Sequence, residues 1–157
     1  MSLVLTGVIA GVLGTAAMDI LNHLFARTGM ISKIDVGMIG RMAAGWANGR
    51  FRYGEPGEMK QVAHEKLLGY FTHYAIGLAL ALAYVLGWDL LVGGPLSAAW
   101  ALAYGMATTV ISWFLVYPSM GLGPLGLRSP DGIRAPVSSL ANHLFFGVGM
   151  AAGIVVA

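Results

Sequence analysis

The stretch LLGYFTHYAIGLALALAYVLGW, from Leu67 to Trp88, contains no Asp, Glu, Lys or Arg. As a helix of about 22 residues rising 1.5 Å each it is about 33 Å long, enough to cross a hydrocarbon core of about 30 Å. Three more segments read the same way: residues 3–26, interrupted only by Asp19 and His23, residues 96–118, and residues 137–157. The sequence therefore predicts an all-α fold, an integral membrane four-helix bundle forming one transmembrane domain over residues 1–157. Helices are the open-chain way to satisfy backbone polar groups in lipid. Pro95 and Pro136 fall just before a span or at its start, where a missing N–H costs nothing, and Pro118 closes the third span. No Lys or Arg precedes the first span, and it is too long for the apolar part of a signal peptide, so a retained helix is expected.

Composition agrees with lipid as the main solvent. Apolar residues make up 57% of the 157 positions and charged ones only 10%, against about 25% charged in ordinary soluble domains. Mean hydropathy is +0.75. A water-soluble monomer is excluded, and so is a disordered chain, which needs charge. The absence of cysteine removes disulfides, thiolate metal sites and cysteine nucleophiles together.

The charges explain the basic pI of about 9.1 without nucleic acid. Arg27, Lys33, Arg41, Arg50, Arg52, Lys60 and Lys66 lie between the first two spans, and Arg128 and Arg134 between the last two. The termini and the short second loop carry none. By the positive-inside rule, loops 27–66 and 119–136 are cytoplasmic and both termini lie outside. In the long loop Asp35 can cap a short amphipathic helix over residues 35–47, with Val36, Ile39 and Trp46 toward lipid or bundle along the interface. Trp46, Arg50, Phe51, Arg52 and Tyr53 read as anchors at an anionic lipid surface. From Glu58 a helix can run continuously into the second span, carrying His64 and Glu65. The turn Met120-Gly121-Leu122-Gly123-Pro124 is either a plain loop or a flexible gate.

A coincidence of depth supplies the candidate site. Asp19, His73 and His143 each lie about seven residues, or roughly 10 Å, inside the membrane from the cytoplasmic ends of three different spans. His64 is expected above them at the mouth. His23, Asn22, Asn142, Trp113 and Tyr117 are nearby candidates of second rank, and Tyr104, Thr108 and Ser112 form a sparse polar stripe leading outward. A buried carboxylate in lipid is costly and needs a proton, a partner or water. One Asp and two His suit a divalent metal, two His on facing helices suit a haem, and the group can equally be a solute or proton site or a structural lock.

Several short segments also occur here in a characteristic order. They are Gly11-x-x-Gly14-Thr15-x-x-Met18-Asp19, Gly40-Arg41, His64-Glu65-x-x-x-Gly69-x-x-x-His73-Tyr74-x-x-Gly77, Pro118-x-Met120-Gly121-x-Gly123 and His143-x-x-Phe146-Gly147-x-Gly149. Together the chain resembles the bacterial membrane proteins grouped as domain of unknown function 2938. The resemblance implies a four-helix bacterial inner-membrane protein with no assigned activity, and it covers Asp19, His64, His73 and His143 but not His23. Three functions stay open: binding or translocation of a small solute, proton or metal ion, a metal- or haem-dependent redox enzyme, and an accessory subunit. The lipid bilayer is the expected partner. Small residues such as Gly7, Gly11, Gly149 and Gly153 permit close helix packing within the chain or between copies of it.

Overall fold

The computed structural model describes residues 1–157 and is entirely helical, with no strand. Five helices carry the fold: α1 (Leu3–Arg27), α2 (Val36–Ala47), α3 (Glu65–Leu91), α4 (Ala98–Ser119) and α5 (Arg134–Val156). Four of them, α1, α3, α4 and α5, are long and apolar enough to cross a membrane. Their outward faces carry Val4, Leu24, Phe71, Leu90, Phe114 and Val155, all exposed in the chain alone. Such faces have no water-soluble use and fit hydrocarbon.

α1 and α5 form the centre, α3 packs on α1, and α4 packs on α5. Small residues set the spacing. A Cβ on Gly153 would stand 2.6 Å from the Ala10 Cα, so α5 meets α1 almost backbone to backbone. The packed interior is Ala10, Met18, Ala81, Tyr84, Val85, Ala101, Phe146 and Met150. α3 and α4 do not pack along each other. They are joined near the ends away from the long loops, where the Tyr84 hydroxyl donates to the Ser97 carbonyl at 2.7 Å and the Tyr104 hydroxyl to the Leu80 carbonyl at 3.0 Å.

α4 is not regular. Residues 112–116 form a π turn in which the Tyr117 N–H reaches the Ser112 carbonyl. Pro118 is the reason: it has no N–H for the Phe114 carbonyl and its ring crowds that oxygen, so the preceding turn widens.

The short helix of the first long loop is present, and Asp35 caps it by accepting from the Met38 N–H at 3.1 Å. It packs tightly on the start of α3, where Gly40 and Gly69 bring the two backbones into contact. The Arg41 guanidinium holds both Glu65 oxygens, at 2.7 and 2.9 Å, and this bond keeps Arg41 charged by raising its pKa further. Ile39, Met42, Tyr53, Met59 and Met120 form a second small core above the bundle, flanked by Trp46, Val116 and Leu122. The long loop is therefore a folded cap.

The cap changes several expectations. No helix runs from Glu58 into α3. Pro56–Glu58 is a single 3-10 turn, and His64 has a positive φ of 56° that interrupts any continuous helix before Glu65. Tyr53 is buried beneath the Arg50 guanidinium, which lies 4.2 Å from its ring centre and pairs with Glu58. Trp46 is half-buried against the cap, so of the expected surface anchors Phe51 and Arg52 are left exposed beside Arg50. The glycine turn is packed rather than loose. Gly121 has φ +79°, and a Cβ there would lie 2.8 Å from the Glu55 Cα.

Candidate binding cavity

A cavity of about 280 Å³ lies where the four long helices meet the cap. α1 contributes Thr15 and Met18, α3 His73, Ile76 and Leu80, and α5 Asn142, His143 and Phe146. Ser112, Val116 and Tyr117 of α4 close another wall, while Met38, Ile39 and Met42 of α2 form the roof. The lining is mainly apolar with a few polar groups, the usual character of small-molecule sites.

Asp19 and His73 meet across the α1–α3 contact, with Nε2 of His73 3.1 Å from Oδ1 of Asp19. An ionised carboxylate only accepts, so the Nε2 proton points at Asp19. Nδ1 of His73 then has no protein partner, and the ring lines the cavity. Asp19 itself stands behind the histidine, outside the lining, and orients it.

His143 is held differently. Thr108 Oγ1 donates to the Gly105 carbonyl at 2.6 Å and lies 2.8 Å from Nδ1 of His143. Having given away its proton, that oxygen accepts from Nδ1–H. Nε2 is thereby an acceptor and takes the Ser112 hydroxyl proton at 2.8 Å. Both ring nitrogens of His143 are used. No group of three or more His, Asp and Glu side chains stands where it could hold a metal ion, and Asp19, His73 and His143 do not form one.

Asn22 and Asn142 turn out to be a clamp. Asn22 Nδ2 donates to the Asn142 Oδ1 and to the Ser32 carbonyl, both at 3.0 Å, and its Oδ1 accepts from the Ile34 N–H at 3.2 Å. Ser138 Oγ accepts from the Ser32 N–H at 2.8 Å. These bonds tie residues 32–34 across α1 and α5 and fix the segment leading into the roof. Tyr117 is on the cavity wall, its hydroxyl donating to the Ala135 carbonyl at 3.2 Å. Trp113, His64 and His23 are not on the wall, and the last two are exposed. The outward stripe is spent on local bonds, Tyr104 on Leu80 and both Thr108 and Ser112 on His143.

Sequence reasoning missed Thr108 and Ser112 as partners of His143, although their spacing of four residues on one helix face was visible. It also missed Ser32 and Ser129, two loop residues that line the cavity.

The architecture defines an all-helical protein with four helices able to span a membrane and a folded cap over a small cavity. The chain belongs to the family described as Protein of unknown function (DUF2938), which it matches over residues 8–157. No curated protein and no solved structure matches it.

Proposed function

We propose that this chain is a single-domain, multi-pass protein of the bacterial cytoplasmic membrane, both termini outside, that binds a small molecule in the capped cavity. The observation that carries the reading is His73. It is fixed from behind by Asp19, its Nδ1 has no protein partner, and it lines a mainly apolar space of about 280 Å³. With the proton on Nε2, Nδ1 is an acceptor available to a donor group of a guest. The one-sided distribution of Lys and Arg supports the cap facing the cytoplasm. In this conformation the Tyr84 and Tyr104 bonds join α3 to α4 at the far end, so passage across the membrane requires that layer to part. Binding is therefore the primary activity, and the bilayer is the surrounding partner.

Native mass spectrometry of the protein in nanodiscs cut from host membranes tests this. The wild type should retain a small molecule that His73→Phe and the cavity-narrowing Ile76→Trp lose. Equal retention by all three, or none by the wild type, refutes the reading.

A further inference from the structure

The cavity is closed unequally on its several sides. Toward the cytoplasm it is roofed by Met38, Ile39 and Met42, and residues 32–34 are tied to α1 and α5 through Asn22 and Ser138. The rim on that side carries Lys33, Asp35 and Asp131, so an apolar molecule entering there would pass three charges. Small residues bring α1 and α5 to backbone distance and shut the wall they share. The side between α3 and α4 has no such seal. The Tyr104 hydroxyl bonds to the Leu80 carbonyl, which fixes the face of α4 turned toward α3. Ile111 follows Tyr104 by seven residues, two helical turns down that face, and is still 38% exposed. A face that points at a neighbouring helix and stays exposed marks a gap. Ile76 and Leu80 on α3 and Val116 on α4, all half-buried, border both this gap and the cavity. Its edges are apolar and belong to helices able to span a membrane, so hydrocarbon rather than water fills it.

One polar atom of the lining stays available beside that gap. Thr15, Ser112, Ser138 and Ser139 are bonded within the protein. Nδ1 of His73 has no protein partner, and unlike the Ser32 and Ser129 hydroxyls it is not sealed from solvent. With the Nε2 proton directed at Asp19, Nδ1 is an acceptor, and its complement is an O–H or N–H. Ile76 follows His73 by three residues, which makes the two neighbours on one face of α3. The acceptor and the apolar edge of the gap are therefore adjacent.

Building on the binding reading above, we infer that the cavity takes its occupant from the bilayer. A lipid-dissolved molecule carrying a hydrogen-bond donor enters between α3 and α4 and bonds to Nδ1 of His73. Any part of its chain too long for the cavity stays in the gap, in contact with lipid.

Photolabelling in nanodiscs tests each part. The reagents are octyl and hexadecyl alcohols with a diazirine beside the hydroxyl, and the methyl ether of the longer one, which lacks the donor. Adducts are located by mass spectrometry. Met18 and Phe146 report the interior, since both line the cavity and are buried, while the exposed Leu24 and Phe114 give the lipid background. At roughly 30 Å³ for each water-sized group a hexadecyl chain needs about 480 Å³, against about 280 Å³ in the cavity, so its head reaches Met18 only with the tail outside. Both alcohols should mark Met18 and Phe146 above background, and the ether about fivefold less, the worth of one typical hydrogen bond. Asp19→Leu/His73→Phe removes the pair together, strands no carboxylate, and should bring the hexadecyl alcohol down to the level of its ether. Octyl labelling without hexadecyl labelling overturns entry between α3 and α4 and leaves the binding reading intact. Equal labelling by alcohol and ether in the wild type overturns the bond to His73, whether or not the double variant folds. Interior labelling by none of the three overturns the inference, and the retained-ligand measurement then judges the binding reading separately.

Discussion

The docking of α2 on α3 rests on two glycines, and Gly40→Ala probes it directly. A Cβ at Gly40 would overlap the Glu65 carbonyl, lying 2.8 Å from its carbon and 3.0 Å from the Gly69 nitrogen. Across the same crossing, a Cβ at Gly69 would lie 2.8 Å from the Val36 carbonyl carbon. The obstructing atoms are helix backbone, which cannot swing aside, so α2 must move off by on the order of 1 Å. Inserting a methyl into such a contact costs about 1–3 kcal/mol, and rigid neighbours put this site at the upper end. Replacing glycine inside a helix returns about 1 kcal/mol through propensity. The net loss of about 2 kcal/mol lowers the docked-to-undocked ratio roughly thirty-fold. Hydrogen exchange of α2 amides in nanodiscs should accelerate by about that factor, while α1 and α5 keep their protection. Gly87→Ala is the control, since a Cβ there meets nothing within 4 Å. Unchanged exchange in α2, or an equal disturbance from Gly87→Ala, would refute the account of the crossing.

Asn22→Ala strands the Asn142 carbonyl oxygen, the Ser32 carbonyl and the Ile34 N–H, so the melting temperature in micelles should fall, by a loss of about 1–3 kcal/mol. Asn142→Ala breaks only one of those bonds and should cost less. Thr108→Val removes the acceptor that fixes His143. Nitrogen NMR of the ring should then change from a single Nδ1–H tautomer to a mixture, and an unaltered spectrum would contradict the assignment. An alkaline-phosphatase fusion after Ala157 should be active and a cytoplasmic reporter there silent, the reverse result inverting the proposed topology.

How much of this was legible in the sequence follows from how local each feature is. The four spans and the Asp35 cap depend on runs of neighbouring residues, and the helices appear where those runs are. The Asp19–His73 pair was legible from depth alone, because 1.5 Å per residue carries two positions to a common level. Depth says nothing about facing. His143 shares the level of Asp19, but its ring bonds to Thr108 and Ser112 on α4, so the three side chains do not gather into one ligand cluster. The π turn that Pro118 imposes shifts the register of α4's lower end, which straight-helix periodicity cannot anticipate. The docking of α2 was not legible for a related reason: the stripe of Val36, Ile39 and Trp46 marks an apolar face but not what covers it. The meaning of Gly40 appears only when Gly69 of another helix arrives opposite.

The same division explains why the cavity exists. Asp19 cannot stand unpartnered in lipid, and pairing with His73 ties α1 to α3. His143 is drawn the other way by α4, and the central α1–α5 contact is closed to backbone distance by small residues. The two histidines are thus anchored to opposite flanks of one bundle. Between them remains a space roofed by α2 and the segment that Asn22 holds in place. Thr15, Ser112, Ser138, Ser139 and His143 of the wall are bonded within the protein, whereas Nδ1 of His73, a residue of the lining, has no protein partner. A purely structural lock would have had reason to pair that nitrogen as well. Its availability beside a mainly apolar cavity is the physical ground for reading that cavity as a binding site.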